Sequence, residues 1–354
     1  MIKLAGTHLI QALTGSRLLD DWDEVDWTIM IRQARRANLI SRIQVDTTDA
    51  PTKALMHLSN ATIVANANTR SVKTEVDDIH RLLQVNNVPF ILLKGAAYLY
   101  ANLDFGKKRV YSDVDIMVRQ SDINKAEGLF ITNGWMTTKL NAYDQQYYRD
   151  RMHELPPLRH IKRQSTLDVH HTIVPPTSAY ELDVDKLWGS CQPVDNMEGV
   201  SVLSPVDMVL HSAVHLFSDG DFENGIRDLS DITCMLEQFS AENGFWQALV
   251  ARSSELGLAM PLFYALRYAS FFLQLSVPSD VMSECRAVVE CGQLKLVVMD
   301  AIFEAGLLPK HESCTNSFSA IAMFALFIRS HYLRMPLHQL VPHLLRKTFQ
   351  KEQE

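Results

Sequence analysis

Apolar residues recur three and four positions apart through Leu9–Leu13, Trp27–Ala37 and Lys53–Gln84. That spacing lines one face of a helix, so residues 1–87 predict helices. Asp49-Ala50-Pro51 reads as a helix start, because proline is tolerated in a first turn. The pattern changes at Val88. Val88–Leu93 is a continuous apolar run, too short for a typical helix, and predicts a buried strand. The run stops at Lys94-Gly95, and Ala96–Ala101 begins a helix. Asp113–Val118 alternates and predicts a second strand, while Ser121 caps a helix over Asn124–Ile131 that ends at Asn133-Gly134. Trp135–Leu140 and Thr166–His170 predict further strands. Tyr143–Tyr148 and Leu155–Ile161 alternate less cleanly and read as strands or irregular edge segments, and Pro175-Pro176 closes the stretch.

Ser204-Pro205-Val206-Asp207 is a cap followed by proline at the first helical position. From there the period is helical through Asp207–Phe217, Asn224–Gln238, Phe245–Leu256, Met260–Leu273, Ser279–Cys291, Leu294–Ala305 and Ser319–His331, with a charged tail after Lys347. The predicted class is α+β, with a small mixed sheet, flanking helices, and helical lobes before and after it. The expected organisation is an N-terminal helical segment (1–87) packing on the core, an α/β core (88–176) and a C-terminal helical domain (177–354).

Composition narrows the class without altering the layout. The chain has 354 residues, 47% hydrophobic and 21% charged, as in an ordinary globular protein. A net charge of −7 gives no electrostatic case for sequence-independent nucleic-acid binding. Five cysteines, scattered and in no ligand-like spacing, predict reduced thiols rather than a disulfide framework or zinc site. No signal-peptide pattern opens the chain, and Ile321–Ile328 is too short to span a bilayer. The expectation is a soluble cytoplasmic protein with no membrane partner.

Candidate chemistry concentrates between Lys94 and Asp115. Gly95 lies at a strand-to-helix junction, where backbone amides can approach an anion closely. Alternate side chains of a strand share a face, so Asp113 and Asp115 point together. Two adjacent carboxylates repel unless a cation lies between them. That pattern points to Mg²⁺, which takes a few carboxylates plus substrate phosphates. Lys94 and Arg109 are candidate phosphate contacts, Arg through paired hydrogen bonds and Lys as a point charge. Exposed edge-strand acids and solvated strand ends are the bland alternatives.

The run Leu92-Leu93-Lys94-Gly95-Ala96-Ala97, followed by Arg109-Val110-Tyr111-Ser112-Asp113-Val114-Asp115, resembles the DNA polymerase beta-like nucleotidyltransferase superfamily. The wording is closest to a bacterial branch of uncharacterised nucleotidyltransferases. The likeness spans roughly residues 80–240, strongest from Ile91 to Val118 and from Thr166 to His171. The resemblance implies transfer of a nucleoside monophosphate from an NTP, ATP first among them, to an acceptor hydroxyl with pyrophosphate release. It implies two Mg²⁺ ions, with Mn²⁺ as a substitute, held by Asp113, Asp115 and Asp168. Asp168-Val169-His170 matches the family's acidic residue, apolar residue and His. Lys94, Gly95, Ala96, Arg109, Ser112, His170 and Arg227 are the implied nucleotide contacts. Most superfamily members carry Gly-Ser or Gly-Gly at the turn. This chain has Gly95-Ala96, so the hydroxyl that usually touches a triphosphate is absent.

Three constellations keep two readings each. His170 shares a strand face with Asp168 and reads as a polar contact at the site or as a structural histidine. His211 and His215 have zinc-helix spacing but no third ligand and no adjacent Glu. With Arg227, Asp228 and Asp231 they read either as a cleft-facing group or as a polar network between two helices. The acceptor is open, a small molecule or protein being favoured over nucleic acid by the acidic charge. A catalytically silent nucleotide-binding regulator and a helical interaction scaffold are the alternative functions.

Overall fold

A computed structural model describes residues 7–336, apart from 17–18, 46–49, 138–144, 146–147, 150, 219, 221 and 290–291, together with His338. Among these residues three α-helices precede the sheet: α1 (His8–Thr14), α2 (Glu24–Arg36) and α3 (Thr52–Val85). A capping box starts α2. The Asp23 carboxylate accepts from the Val25 and Asp26 amides, and Asp26 accepts from the Asp23 amide. Along α3, Leu58, Ala65, Val72, Val76, Ile79 and Leu83 form the buried stripe that the spacing predicts.

Two polar residues of α3 pin the loops around the sheet. Asn68 donates to the Tyr111 carbonyl at 3.1 Å and accepts from the Tyr111 amide at 2.7 Å. Glu75 accepts from Arg163 Nε and Ser165 Oγ, each at 2.8 Å. The loop entering the second strand and the turn between the fourth and fifth are therefore held by one helix.

The strands are β1 (Phe90–Leu93), β2 (Asp113–Val118), β3 (Trp135–Thr137), β4 (Leu158–His160), β5 (Thr166–His170), β6 (Gln192–Pro193) and β7 (Val200–Val202). They form one seven-stranded mixed sheet in the order β3-β4-β5-β2-β1-β7-β6. β2 runs antiparallel to β1 and parallel to β5, and β1 runs parallel to β7. All four residues of β1 are buried, as its unbroken apolar run requires of a central strand. The helix α4 (Lys94–Tyr100) follows β1 directly, and α5 (Ile123–Thr132) follows β2. The fold is α+β.

The stretch after Pro175-Pro176 differs from its helical expectation. A helix α6 (Val184–Ser190) and the β6–β7 hairpin come first, and the hairpin extends the sheet beyond β1. Two- and three-residue strands are too short to display a period. Their signal is the turn, where Asn196 and Gly199 take positive φ, and the pair Val200 and Val202 that packs beside Phe90 and Leu92. Of the expected edge segment Tyr143–Tyr148 only Gln145 and Tyr148 are described, and the expected strand from Trp135 is described only as far as Thr137.

Among the described residues seven helices follow: α7 (Pro205–Ser218), α8 (Gly225–Phe239), α9 (Phe245–Glu255), α10 (Ala259–Leu273), α11 (Ser279–Val289), α12 (Gln293–Leu307) and α13 (Ser317–Arg334). Helix α7 is buried on most sides, and its Asp207 is matched by Arg252 Nε at 2.7 Å and Ser190 Oγ at 2.6 Å. Phe217, Tyr264, Tyr268 and Phe303 cluster with ring centroids 5.1–5.8 Å apart for most pairs, joining α7, α10 and α12. One apolar core runs from Leu9 through the sheet to Leu326. Among the described residues no helix is long and apolar enough to cross a membrane.

Candidate functional site

The carboxyl end of β1 meets the start of β2, because Leu93 pairs with Asp115 across the antiparallel ladder. On the other side of β2, Asp115 pairs with Asp168 of β5, and Asp113 pairs with Thr166. Two acids thus lie side by side on parallel strands, with a third two residues away on the same face. Asp113, Asp115 and Asp168 all line a cavity of about 460 Å³ between the sheet and the C-terminal helices. Lys94, Gly95, Arg109, Ser112 and Arg227 line it too, whereas Ala96 is buried in the first turn of α4.

Lys94 takes φ of 43°, a left-handed conformation that costs a non-glycine residue on the order of 1–2 kcal/mol. Its Nζ donates to Asp115 Oδ1 at 2.8 Å. His170 Nε2 meets the same oxygen at 3.1 Å. Burial by itself would raise Asp115, but Lys94 and then His170 outweigh it and hold the carboxyl well below the usual range. Burial likewise opposes the charge on Lys94, and the attraction of Asp115 and Glu154 wins, so its ammonium is held above the ordinary lysine value. The neighbouring acids behave oppositely. Burial first, then Asp115, raises Asp113, against which Ser112 hydrogen-bonds its carboxylate. Asp168 is pushed well above the usual range by burial, then by Asp115, Glu154 and Asp113. Its Oδ1 is buried without a hydrogen-bond partner among the described residues.

An orphaned carboxylate oxygen facing two further acids is the environment a cation relieves, so these three residues fit a divalent ion. A second donor set stands beside them. His153, Glu154 and His170 bring one ligand atom each to within 4.8 Å of one another, and they are the group that reaches this spacing among the described residues. Burial pushes His153 well below the ordinary histidine value, as it does His215.

Arg109 lines the cavity while acids of α8 hold its guanidinium. It is buried, with its guanidinium 5.4 Å from the centroids of both Tyr98 and Tyr111. Its Nε stands 3.3 Å from Asp231 Oδ2, and its Nη2 is 3.8 Å from Asp228 Oδ1. Arg42 also bonds Asp231 and donates to Ser230 Oγ at 3.0 Å. Asp231 therefore ties the N-terminal segment and the sheet's entry loop to α8, away from the cavity wall. Arg227 and Asp228 remain at the wall, joined by a 2.9 Å hydrogen bond from Arg227 Nε. His215 lines the cavity while His211 lies deeper, pushed down to about 3 by burial.

Gly95 is held by side chains. A Cβ there would lie 2.6 Å from Tyr111 Cδ1 and 2.9 Å from Arg109 Nη1. The close approach that requires glycine is made by the chain's own aromatic and guanidinium groups.

His153, Glu154 and Arg334 line the cavity without having been read from the sequence. His153 and Glu154 precede Leu155-Pro156-Pro157 in a stretch with no period, and a lone bridge from Glu154 to His170 brings them in. Arg334 ends α13, far along the chain, and reaches the cavity because Thr177 Oγ1 bonds its carbonyl at 2.8 Å. The His-Glu pair ahead of two prolines was the available signal for the first two. Nothing local marks Arg334.

The chain belongs to the uncharacterised nucleotidyltransferase family, whose model matches residues 23–274. Among solved structures it is similar to an antigenic nucleotidyltransferase-like protein from Paracoccidioides brasiliensis. The two are 16% identical, with 61% of this chain and 98% of that chain covered and a TM-score of 0.32. No curated protein matches the chain.

Proposed function

We propose, for a chain of this nucleotidyltransferase family, that the cavity transfers a nucleoside monophosphate from an NTP to an acceptor hydroxyl. The acceptor oxygen forms a bond to the α-phosphorus and gives its proton to solvent, the bond from that phosphorus to the bridging oxygen breaks, and pyrophosphate leaves with its electron pair. The observation that carries this reading is the pairing of Asp115 with Asp168 on adjacent strands beneath the cavity, with Asp168 Oδ1 unpartnered among the described residues. Asp113, Asp115 and Asp168 would hold Mg²⁺, or Mn²⁺ in its place, which would supply charge neutralisation on the phosphates and a lowered pKa for the acceptor hydroxyl.

The remaining roles belong to side chains. Lys94, released from Asp115, turns to the triphosphate as a point charge. Arg227, at the cavity wall, meets the acceptor. Arg109 acts through position, standing beside Tyr98 and Tyr111 and, with Tyr111, packing against Gly95. Catalysis on this reading is mainly orientation and charge balance. ATP is the first donor to test, and the net charge of −7 favours a small-molecule or protein acceptor in the cytoplasm over nucleic acid.

Incubation with each α-labelled NTP and cell extract tests the proposal. Label should pass to an acceptor and be lost in Asp113→Asn. NTP bound without any turnover would support the second reading, a silent nucleotide-binding regulator, which the Lys94 contact on Asp115 favours.

A further inference from the structure

We propose that His153, Glu154 and His170 bind a transition-metal dication of the Mn²⁺-to-Zn²⁺ class, at a site distinct from the three aspartates. Glu154 Oε2 stands 3.5 Å from His170 Nε2 and 4.0 Å from His153 Nε2. The two imidazole rings face each other at 5.2 Å between centroids, tilted by 33°, with that carboxylate beside both. A contraction of side chains alone would close the three donors on one ion.

The backbone holds the donors in register. Glu154 bridges His170, the Leu155 amide donates to the Val169 carbonyl at 2.8 Å, and the His171 amide donates to the His153 carbonyl at 2.9 Å. The segment carrying His153 and Glu154 is thus laced to the strand carrying His170, which removes much of the ordering cost of assembling a site. His153 Nδ1 and His170 Nδ1 are both buried without a hydrogen-bond partner among the described residues. Neither ring is anchored at that nitrogen, while His170 Nε2 is held by Asp115 Oδ1 at 3.1 Å and faces Glu154. A purely structural cluster would be expected to satisfy those atoms.

The donor chemistry separates this site from the aspartates. Two imidazoles and one carboxylate suit Mn²⁺, Fe²⁺, Co²⁺ or Zn²⁺, whereas Mg²⁺ takes oxygen ligands and keeps its waters. His153 and Glu154 line the cavity, which gives an ion its route of entry. An ion here would also compete for His170 with Asp115, linking the two sites.

The experiment uses the full chain, stripped with chelator and dialysed against Zn²⁺ in millimolar Mg²⁺ without nucleotide. One Zn²⁺ per chain should be retained, and Co²⁺ in its place should show visible absorption typical of nitrogen ligation. His153→Ala and the shape-conserving Glu154→Gln should each weaken Zn²⁺ at least about tenfold, while Asp113→Asn binds as the wild type does. The site is refuted if no Zn²⁺ is retained over Mg²⁺, or if both variants keep wild-type affinity. It is equally refuted if Asp113→Asn loses as much as they do, which would place the ion among the aspartates. Retention is read without nucleotide, so this outcome is independent of transfer.

Discussion

Lys94 Nζ lies 2.8 Å from Asp115 Oδ1, so the carboxylate most central to the cavity already carries a cation from its own chain. The side chains are 20% and 4% exposed, so the pair is largely out of water. Removing one partner of a buried pair leaves the other uncompensated, at about 3–5 kcal/mol. Asp115→Asn should therefore abolish transfer and also cost about 3 kcal/mol in urea unfolding. Lys94→Met combined with Asp115→Asn should recover most of that loss. Strictly additive losses in the double variant would show that the pair is not coupled.

Asp168 gives a pH signature of opposite sign. Its raised carboxyl keeps a proton in the folded state that the unfolded chain releases near the ordinary value of 3.8. Stability from this group is full below that value and is lost as pH rises through the raised one. Asp168→Asn should accordingly melt above the wild type at mildly alkaline pH in chelator, with the difference vanishing in acid. Melting curves across pH decide it, and a variant less stable than the wild type under those alkaline conditions would sink the assignment.

At Gly95, two effects compete. Alanine in a helix gains up to about 1 kcal/mol over glycine. A Cβ 2.6 Å from Tyr111 Cδ1 must displace that ring, and overpacking of this kind costs about 1–3 kcal/mol. The clash should win, so Gly95→Ala should lower the melting temperature and weaken NTP binding together. Unchanged stability would mean that Tyr111 moves at little cost.

Arg109 and Arg227 should separate by stability. Arg109→Ala strips a buried cation from Asp231, which keeps Arg42, and from Asp228, which keeps Arg227, and should cost about 2 kcal/mol. Arg227→Ala loses mainly its bond to Asp228 and should cost about 1 kcal/mol, leave NTP binding near the wild type and lower transfer. If Arg227→Ala unfolds the protein as readily as Arg109→Ala, the wall of α8 is a support and the acceptor lies elsewhere.

Mg²⁺ and NTP together should raise the melting temperature beyond the sum of their separate shifts, because the triphosphate supplies oxygens the acids lack. Equal NTP shifts with and without Mg²⁺, read by thermal denaturation, would detach the nucleotide from the carboxylates.

An unbroken apolar run determined the strand read over Val88–Leu93, and periodicity determined the long helix read over Lys53–Gln84, the strand Asp113–Val118 and the shared face of Asp113 and Asp115. The periodic elements follow from repeats of 3.6 and 2 residues that a chain displays locally. The strand carrying Asp168 was legible for the same reason, whereas grouping Asp168 with the Asp-x-Asp pattern came from the family resemblance. The tertiary structure decided the rest. It set Asp168 against Asp115 in the parallel register, sent Arg109 to Asp231, and carried Glu154 and Arg334 to the cavity from segments without a local mark. It also added Gln192–Pro193 and Val200–Val202 to the sheet. Such placements depend on contacts between residues far apart in the chain, whose partners are chosen by burial and charge pairing together. A side chain's local sequence records its preference for a helix or a strand, but not which distant carboxylate will offset its charge.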